Sequence, residues 1–84
     1  MKIYLGETGL DKTWQETFPK TVKCHKCGKT ARIMFVAFED NEKKYISSLY
    51  NNMEDEKFWV HDACAIAVYL CEKCFEPNAL INQA

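Results

Sequence analysis

The 84-residue chain lacks an apolar run long enough to cross a bilayer. No export signal is visible or expected, since after Met1 and Lys2 only Ile3, Tyr4 and Leu5 are apolar before Gly6 and Glu7. These absences argue against a membrane partner and set the expected compartment as the cytoplasm, where thiols stay reduced and serve as metal ligands rather than disulfides. No internal repeat, low-complexity tract or linker divides the sequence. A chain this short cannot build two separate cores, so residues 1–84 are expected to form one domain. Net charge is nearly absent as well, at a formal −1.

An apolar fraction of 48%, with five Phe, four Tyr and two Trp, suffices for a globular core. A core of this size is marginal, and small chains commonly add a metal or disulfides. Five cysteines are present, an odd number that suits metal binding better than a fully paired disulfide framework. Four of them form two Cys-x-x-Cys pairs, Cys24-His25-Lys26-Cys27 and Cys71-Glu72-Lys73-Cys74. Two residues between thiols let one tight turn aim both sulfurs at a single ion, with backbone N–H groups directed at the sulfurs. Gly28 follows the first pair and can take the positive φ such a turn needs. The expected metal ligands are Cys24, Cys27, Cys71 and Cys74, holding Zn²⁺.

Charge is segregated along the chain. Residues 20–32 carry Lys20, Lys23, Lys26, Lys29 and Arg32 and no acid, whereas residues 39–57 carry six acids against three lysines. A zinc ion held by four thiolates has a net charge of about −2, which nearby lysines partly offset.

Periodicity outlines the elements. Residues 2–5 read as a short strand ended by Gly6. Asp11 reads as the cap of a helical turn over residues 14–18, stopped by Pro19. Residues 31–38, rich in β-branched and aromatic side chains, form the best strand candidate. Residues 39–42 read as a turn and 44–50 as a half-exposed strand; Asn51-Asn52 marks another turn and 57–61 another strand. Within residues 62–70, Cys64, Ile66, Val68 and Leu70 alternate with alanines and Tyr69, which favours a strand over a helix capped by Asp62. Residues 77–83 read as a helical turn or a mobile tail.

With Cys24-His25-Lys26-Cys27-Gly28, a β-meander and then Tyr69-Leu70-Cys71-Glu72-Lys73-Cys74, the chain resembles the zinc-ribbon and rubredoxin-like group over the two knuckles and their adjoining strands. The resemblance implies a small, metal-stabilised, mainly antiparallel β domain, with room for a minor helix. The 43 residues between Cys27 and Cys71 exceed the compact spacing and imply an enlarged insertion, while Phe75 stands where a second glycine often follows the knuckle. A competing pattern is His61-x-x-Cys64, which resembles the second half of a treble-clef zinc finger whose first half is Cys24 and Cys27. That arrangement requires a helix from Asp62 onward and leaves Cys71 and Cys74 free. Under the four-cysteine reading Cys64 is a small buried side chain, His61 a partly exposed strand residue and His25 a solvated one.

Little in the sequence supports catalysis. A closed four-sulfur shell has no position for substrate or water. The deaminase pattern fails, because His61 is followed by Asp62-Ala63 and no proline precedes Cys71. Neither pair has the Trp-before or Pro-within context of a thiol–disulfide enzyme. Four thiolates also bind iron, so rubredoxin-like electron transfer is the alternative to structural zinc. The expected role is an accessory module. One form binds nucleic acid through Lys20, Lys23, Lys26, Lys29 and Arg32, with Tyr4 or Trp14 stacking on bases. The other binds a protein partner through edge strands or the acidic block.

Overall fold

The computed structural model describes residues 2–39 and 64–83. Among the described residues five strands form one antiparallel sheet: β1 (Lys2–Leu5), β2 (Thr21–Lys23), β3 (Thr30–Phe38), β4 (Cys64–Cys71) and β5 (Pro77–Gln83). The order is β1-β3-β4-β5, with β2 pairing β3 beside β1. β2 with β3, and β4 with β5, are hairpins, and each Cys-x-x-Cys segment is the turn of one of them. Ala31 pairs with Cys71 across β3 and β4, which brings both turns to the same end of the sheet. The result is a small, mainly antiparallel β architecture with a clustered four-cysteine site at one end.

The long β3 strand changes face midway. Ile33 pairs with Tyr69 and Phe35 with Val68, so Met34 is an extra residue against β4. This bulge turns Ala31 and Ile33 to the same side as Val36 and Phe38, a set that strict alternation would have split between the faces. On that side the small residues Ala65 and Ala67 are fully buried beside Tyr69. Their small size lets Leu10, Trp14 and Phe18 from the connection after β1 pack down onto the sheet. Trp14 stacks on Phe38 with ring centroids 5.1 Å apart, and the Tyr69 hydroxyl donates to Pro19 O at 2.7 Å. Gly9 lies so close to the sheet that a Cβ there would sit 2.6 Å from Tyr4 Cβ.

Several expectations hold. Residues 2–5 form a strand ended by Gly6 at φ 55°. The 31–38 strand and the described part of the 62–70 strand are both present.

Two expectations are corrected. No helical turn forms over residues 14–18; the helical residues among those described are instead a 3₁₀ turn, Gly6–Gly9. The Thr13 hydroxyl competes locally, accepting from Gln15 N and donating to Glu16 O at 3.1 Å each, while Trp14 N donates to Asn82 Oδ1 at 3.2 Å. Residues 77–83 are neither a helical turn nor a tail but strand β5, paired with β4 along their whole length. Its core-facing positions include Asn78 and Asn82, whose amides satisfy partners on other segments, so the apolar alternation of a half-buried strand is missing. The expected strands at 44–50 and 57–61, the turn between them, and His61 lie outside the described residues.

Candidate metal centre

The two hairpin turns bring the Sγ atoms of Cys24, Cys27, Cys71 and Cys74 within 4.8 Å of one another, close enough to hold a metal ion. The close contacts run between turns: Cys24 to Cys74 at 3.7 Å and Cys27 to Cys71 at 3.4 Å. A regular tetrahedron with metal–sulfur bonds of about 2.3 Å has edges of about 3.8 Å, so these separations suit one tetrahedral ion. None of the four is joined in a disulfide. Cys24 and Cys71, the first of each pair, are buried, while Cys27 is exposed and Cys74 half-buried.

Each turn directs amides at its buried sulfur. Lys26 N lies 3.4 Å from Cys24 Sγ; Lys73 N and Cys74 N lie 3.4 and 3.5 Å from Cys71 Sγ. These contacts move the thiols apart in acidity. The backbone N–H of Cys27, aided by that of Lys26 and by the Asn78 amide, outweighs burial and lowers Cys24 to about 6. Cys71 is lowered chiefly by the N–H groups of Cys74 and Lys73. For Cys74 the Glu76 N–H acts downward, but burial and the three neighbouring sulfurs prevail and raise it to about 12. A cation among the sulfurs would relieve the crowding of negative charge that holds the proton on Cys74.

Asn78 is the member that sequence reasoning missed. It is 8% exposed at the start of β5, and its Oδ1 accepts from His25 N at 2.9 Å while its Nδ2 donates to Glu76 O at 3.0 Å. One side chain therefore ties the two turns together and also favours the Cys24 thiolate. The only available signal was a polar residue four positions after the last cysteine, in a stretch with few other polar groups facing the core.

Cys64 is not part of the cluster. It begins β4 while Cys71 ends it, roughly 23 Å away at strand rise. It also lies on the opposite face, fully buried, with burial first and Glu39 second raising its thiol. Because residues from Cys64 onward form a strand, the treble-clef arrangement of Cys24, Cys27, His61 and Cys64 is not adopted. His25 is exposed but not merely solvated: its Nε2 lies 3.3 Å from Pro77 O and 3.6 Å from Glu76 Oε1.

The cationic segment is partly compensated. Lys20 pairs with Glu7 at 3.1 Å, Lys26 with Glu76 at 3.7 Å and Arg32 with Glu72 at 3.4 Å. The aromatics expected to stack on bases have other contacts: Trp14 on Phe38, and Tyr4 under the Lys12 ammonium at 5.3 Å. Among the described residues, no helix is long and apolar enough to cross a membrane. No family model matches the sequence, and no curated protein or solved structure matches it either.

Proposed function

We propose that residues 1–84 form a single zinc-stabilised domain without catalytic activity, in which Cys24, Cys27, Cys71 and Cys74 bind one Zn²⁺ and the sheet acts as a cytoplasmic protein-interaction module. The observation that carries the reading is the convergence of four sulfurs within 4.8 Å from two hairpin turns. Four protein ligands complete a tetrahedral shell and leave no position at which water or substrate is activated, which suits a structural role. Zinc is preferred to iron because a core this small needs a staple and a closed thiolate shell supplies one without redox chemistry.

A protein partner is preferred to nucleic acid on two grounds. Three of the five expected phosphate contacts, Lys20, Lys26 and Arg32, already face carboxylates. The expected base-stacking rings Trp14 and Tyr4 are engaged within the molecule.

Native mass spectrometry with metal analysis tests the centre. One zinc per chain, colourless protein and unfolding on chelation are expected. A red-brown protein carrying iron would establish the rubredoxin-like alternative, and a chelated protein that keeps its dispersed amide spectrum would refute metal-dependent folding.

A further inference from the structure

Among the described residues β5 is an edge strand, whose backbone groups alternate between β4 and the exterior. Glu39 N donates to Cys64 O at 2.9 Å, so even-numbered residues of β4 turn their amides to β3 and odd-numbered ones to β5. Cys71 N accordingly donates to Glu76 O at 3.0 Å. Ala65, Ala67 and Tyr69 oppose Asn82, Leu80 and Asn78, which places the amides of those three β5 residues inward and those of Pro77, Ala79, Ile81 and Gln83 outward. Two contacts agree with this parity. His25 Nε2 approaches the outward carbonyl of Pro77 at 3.3 Å, and Gln15 Nε2 donates to the outward carbonyl of Gln83 at 2.8 Å. Between these two side chains, no other described residue bonds the outward groups of Ala79 and Ile81.

An open edge is ordinarily guarded by charge, a bulge or a mid-strand proline. Pro77-Asn78-Ala79-Leu80-Ile81-Asn82-Gln83 has no charge in a chain that is 27% charged, and its proline falls where the N–H would face outward. Leu80 and Ile81 are 41% and 63% exposed. The strands at the other edge do carry charge, Lys2 in β1 and Lys23 in β2.

We propose that this edge pairs antiparallel with the same edge of a second copy of the chain, about a two-fold axis at Leu80. The proposal names the partner for the protein-interaction reading above and rests on it. In this register Ala79 faces the partner's Ile81 and Ile81 faces the partner's Ala79, making four N–H···O bonds, while the two Leu80 side chains meet on the axis. A second copy fits better than an unrelated strand. The open stretch is short and lies symmetrically between its two blocked ends, and an uncharged strand meets no like charge when paired with its own image. On the Leu80 face, an open groove between residues 15–19 and β5 can seat the incoming leucine beside Phe18 and Pro19. On the other face, the apolar rows Ile3–Ala37–Ile66–Ile81 and Leu5–Phe35–Val68–Ala79 run to the axis and continue into those of the partner.

Edge pairing of this extent belongs with small, weak interfaces. Sedimentation velocity of the full zinc-loaded chain from about 10 µM to about 1 mM tests it. The weight-average mass should rise from 9.8 kDa towards twice that value. Leu80→Lys and Leu80→Glu should each be monomeric with metal retained, and an equimolar mixture of the two should dimerise again. Ala79→Pro, which removes an outward N–H and no intramolecular bond, should also be monomeric. A wild-type chain still monomeric at about 1 mM, or a Leu80→Lys variant that associates like wild type, overturns the pairing. Salt-sensitive retention of wild type on heparin would instead overturn the preference for a protein partner, so the two failures are distinguishable.

Discussion

The two cysteine turns are near copies in backbone, yet the residue after the second cysteine is glycine in one and phenylalanine in the other. In the first, Gly28 N donates to Cys24 O at 3.0 Å and Cys24 N to Lys29 O at 2.7 Å; in the second, Phe75 N donates to Cys71 O at 3.2 Å and Cys71 N to Glu76 O at 3.0 Å. Both reverse the chain by placing the residue after the second cysteine in the left-handed region. Gly28 sits there at φ 76°, and Phe75 sits there at φ 59°. Glycine adopts this conformation freely, whereas a residue with a Cβ does so at a cost of about 1 kcal/mol or more. The geometry that gathers the sulfurs therefore determines the backbone, and glycine only makes it less costly. A pattern that demanded glycine after both pairs would have overlooked the second turn.

The largest effects should treat the turns as equals. Cys24→Ser and Cys71→Ser should each lose metal and with it the folded state, because metal-binding free energy in such a domain is largely folding free energy. Metal content and the dispersion of the amide spectrum report this directly. Cys64→Ser should retain metal, since Cys64 lies at the far end of β4 from the cluster. Metal loss from the Cys64 variant, with retention in the Cys71 variant, would reverse the assignment.

Acid should separate the turns. Without metal, Cys24 has its midpoint at about 6 and Cys74 at about 12. Near neutral pH, Cys24 has already lost its proton, so of these two only Cys74 releases one on metal binding. Below pH about 6, Cys24 must release one too, so the apparent affinity falls with decreasing pH by a further factor approaching ten per unit. Competition with a chromophoric chelator across that range measures the change of slope. An unchanged slope would mean that the amides around Cys24 do not favour its thiolate.

These contrasts also show what was readable from residue order. The clustering of the two cysteine pairs was legible because a tight turn between thiols is a local device, and β4 was legible because its large and small residues alternate. β5 was not, because Asn78 and Asn82 occupy its core-facing positions and their partners, His25, Thr13 and Trp14, are distant in sequence. The Met34 bulge was equally hidden: residues 31–38 look like one uninterrupted strand, and only pairing with β4 reveals the extra residue. The connection over the core was misread as helical because its turn chemistry depends on the Thr13 hydroxyl and on Asn82, not on local propensity.

Asn78→Ala should weaken the tie between the turns. It removes the acceptor of His25 N and the donor to Glu76 O, two part-buried hydrogen bonds, so a loss of about 1–2 kcal/mol is expected. It also removes the amide that favours the Cys24 thiolate, so metal loss should begin at a higher pH. Chemical denaturation of the metal-loaded variant, repeated in mild acid, tests both effects. Equal stability with an unmoved acid transition would reduce Asn78 to an ordinary strand residue.

The smallest effects bear on the residue after the second cysteine, Gly28 in one turn and Phe75 in the other, and they should have opposite signs. At Gly28 an added Cβ would come no closer than 3.4 Å to Lys23 Cε, so Gly28→Ala meets no steric obstacle and loses only the ease of positive φ, about 1 kcal/mol. At Phe75 the ring is 70% exposed, so little packing offsets the backbone cost. Phe75→Gly should therefore stabilise the metal-loaded protein, by roughly 0.5–1 kcal/mol once the greater freedom of glycine in the unfolded chain is deducted. Denaturation midpoints of the two variants and their double mutant decide the matter. If Phe75→Gly lowers stability, the ring makes contacts that outweigh its strained φ, and the turns are alike only in backbone. If it raises stability as expected, the ring contributes nothing to folding that glycine would not surpass, and any use the protein has for it lies outside its own fold.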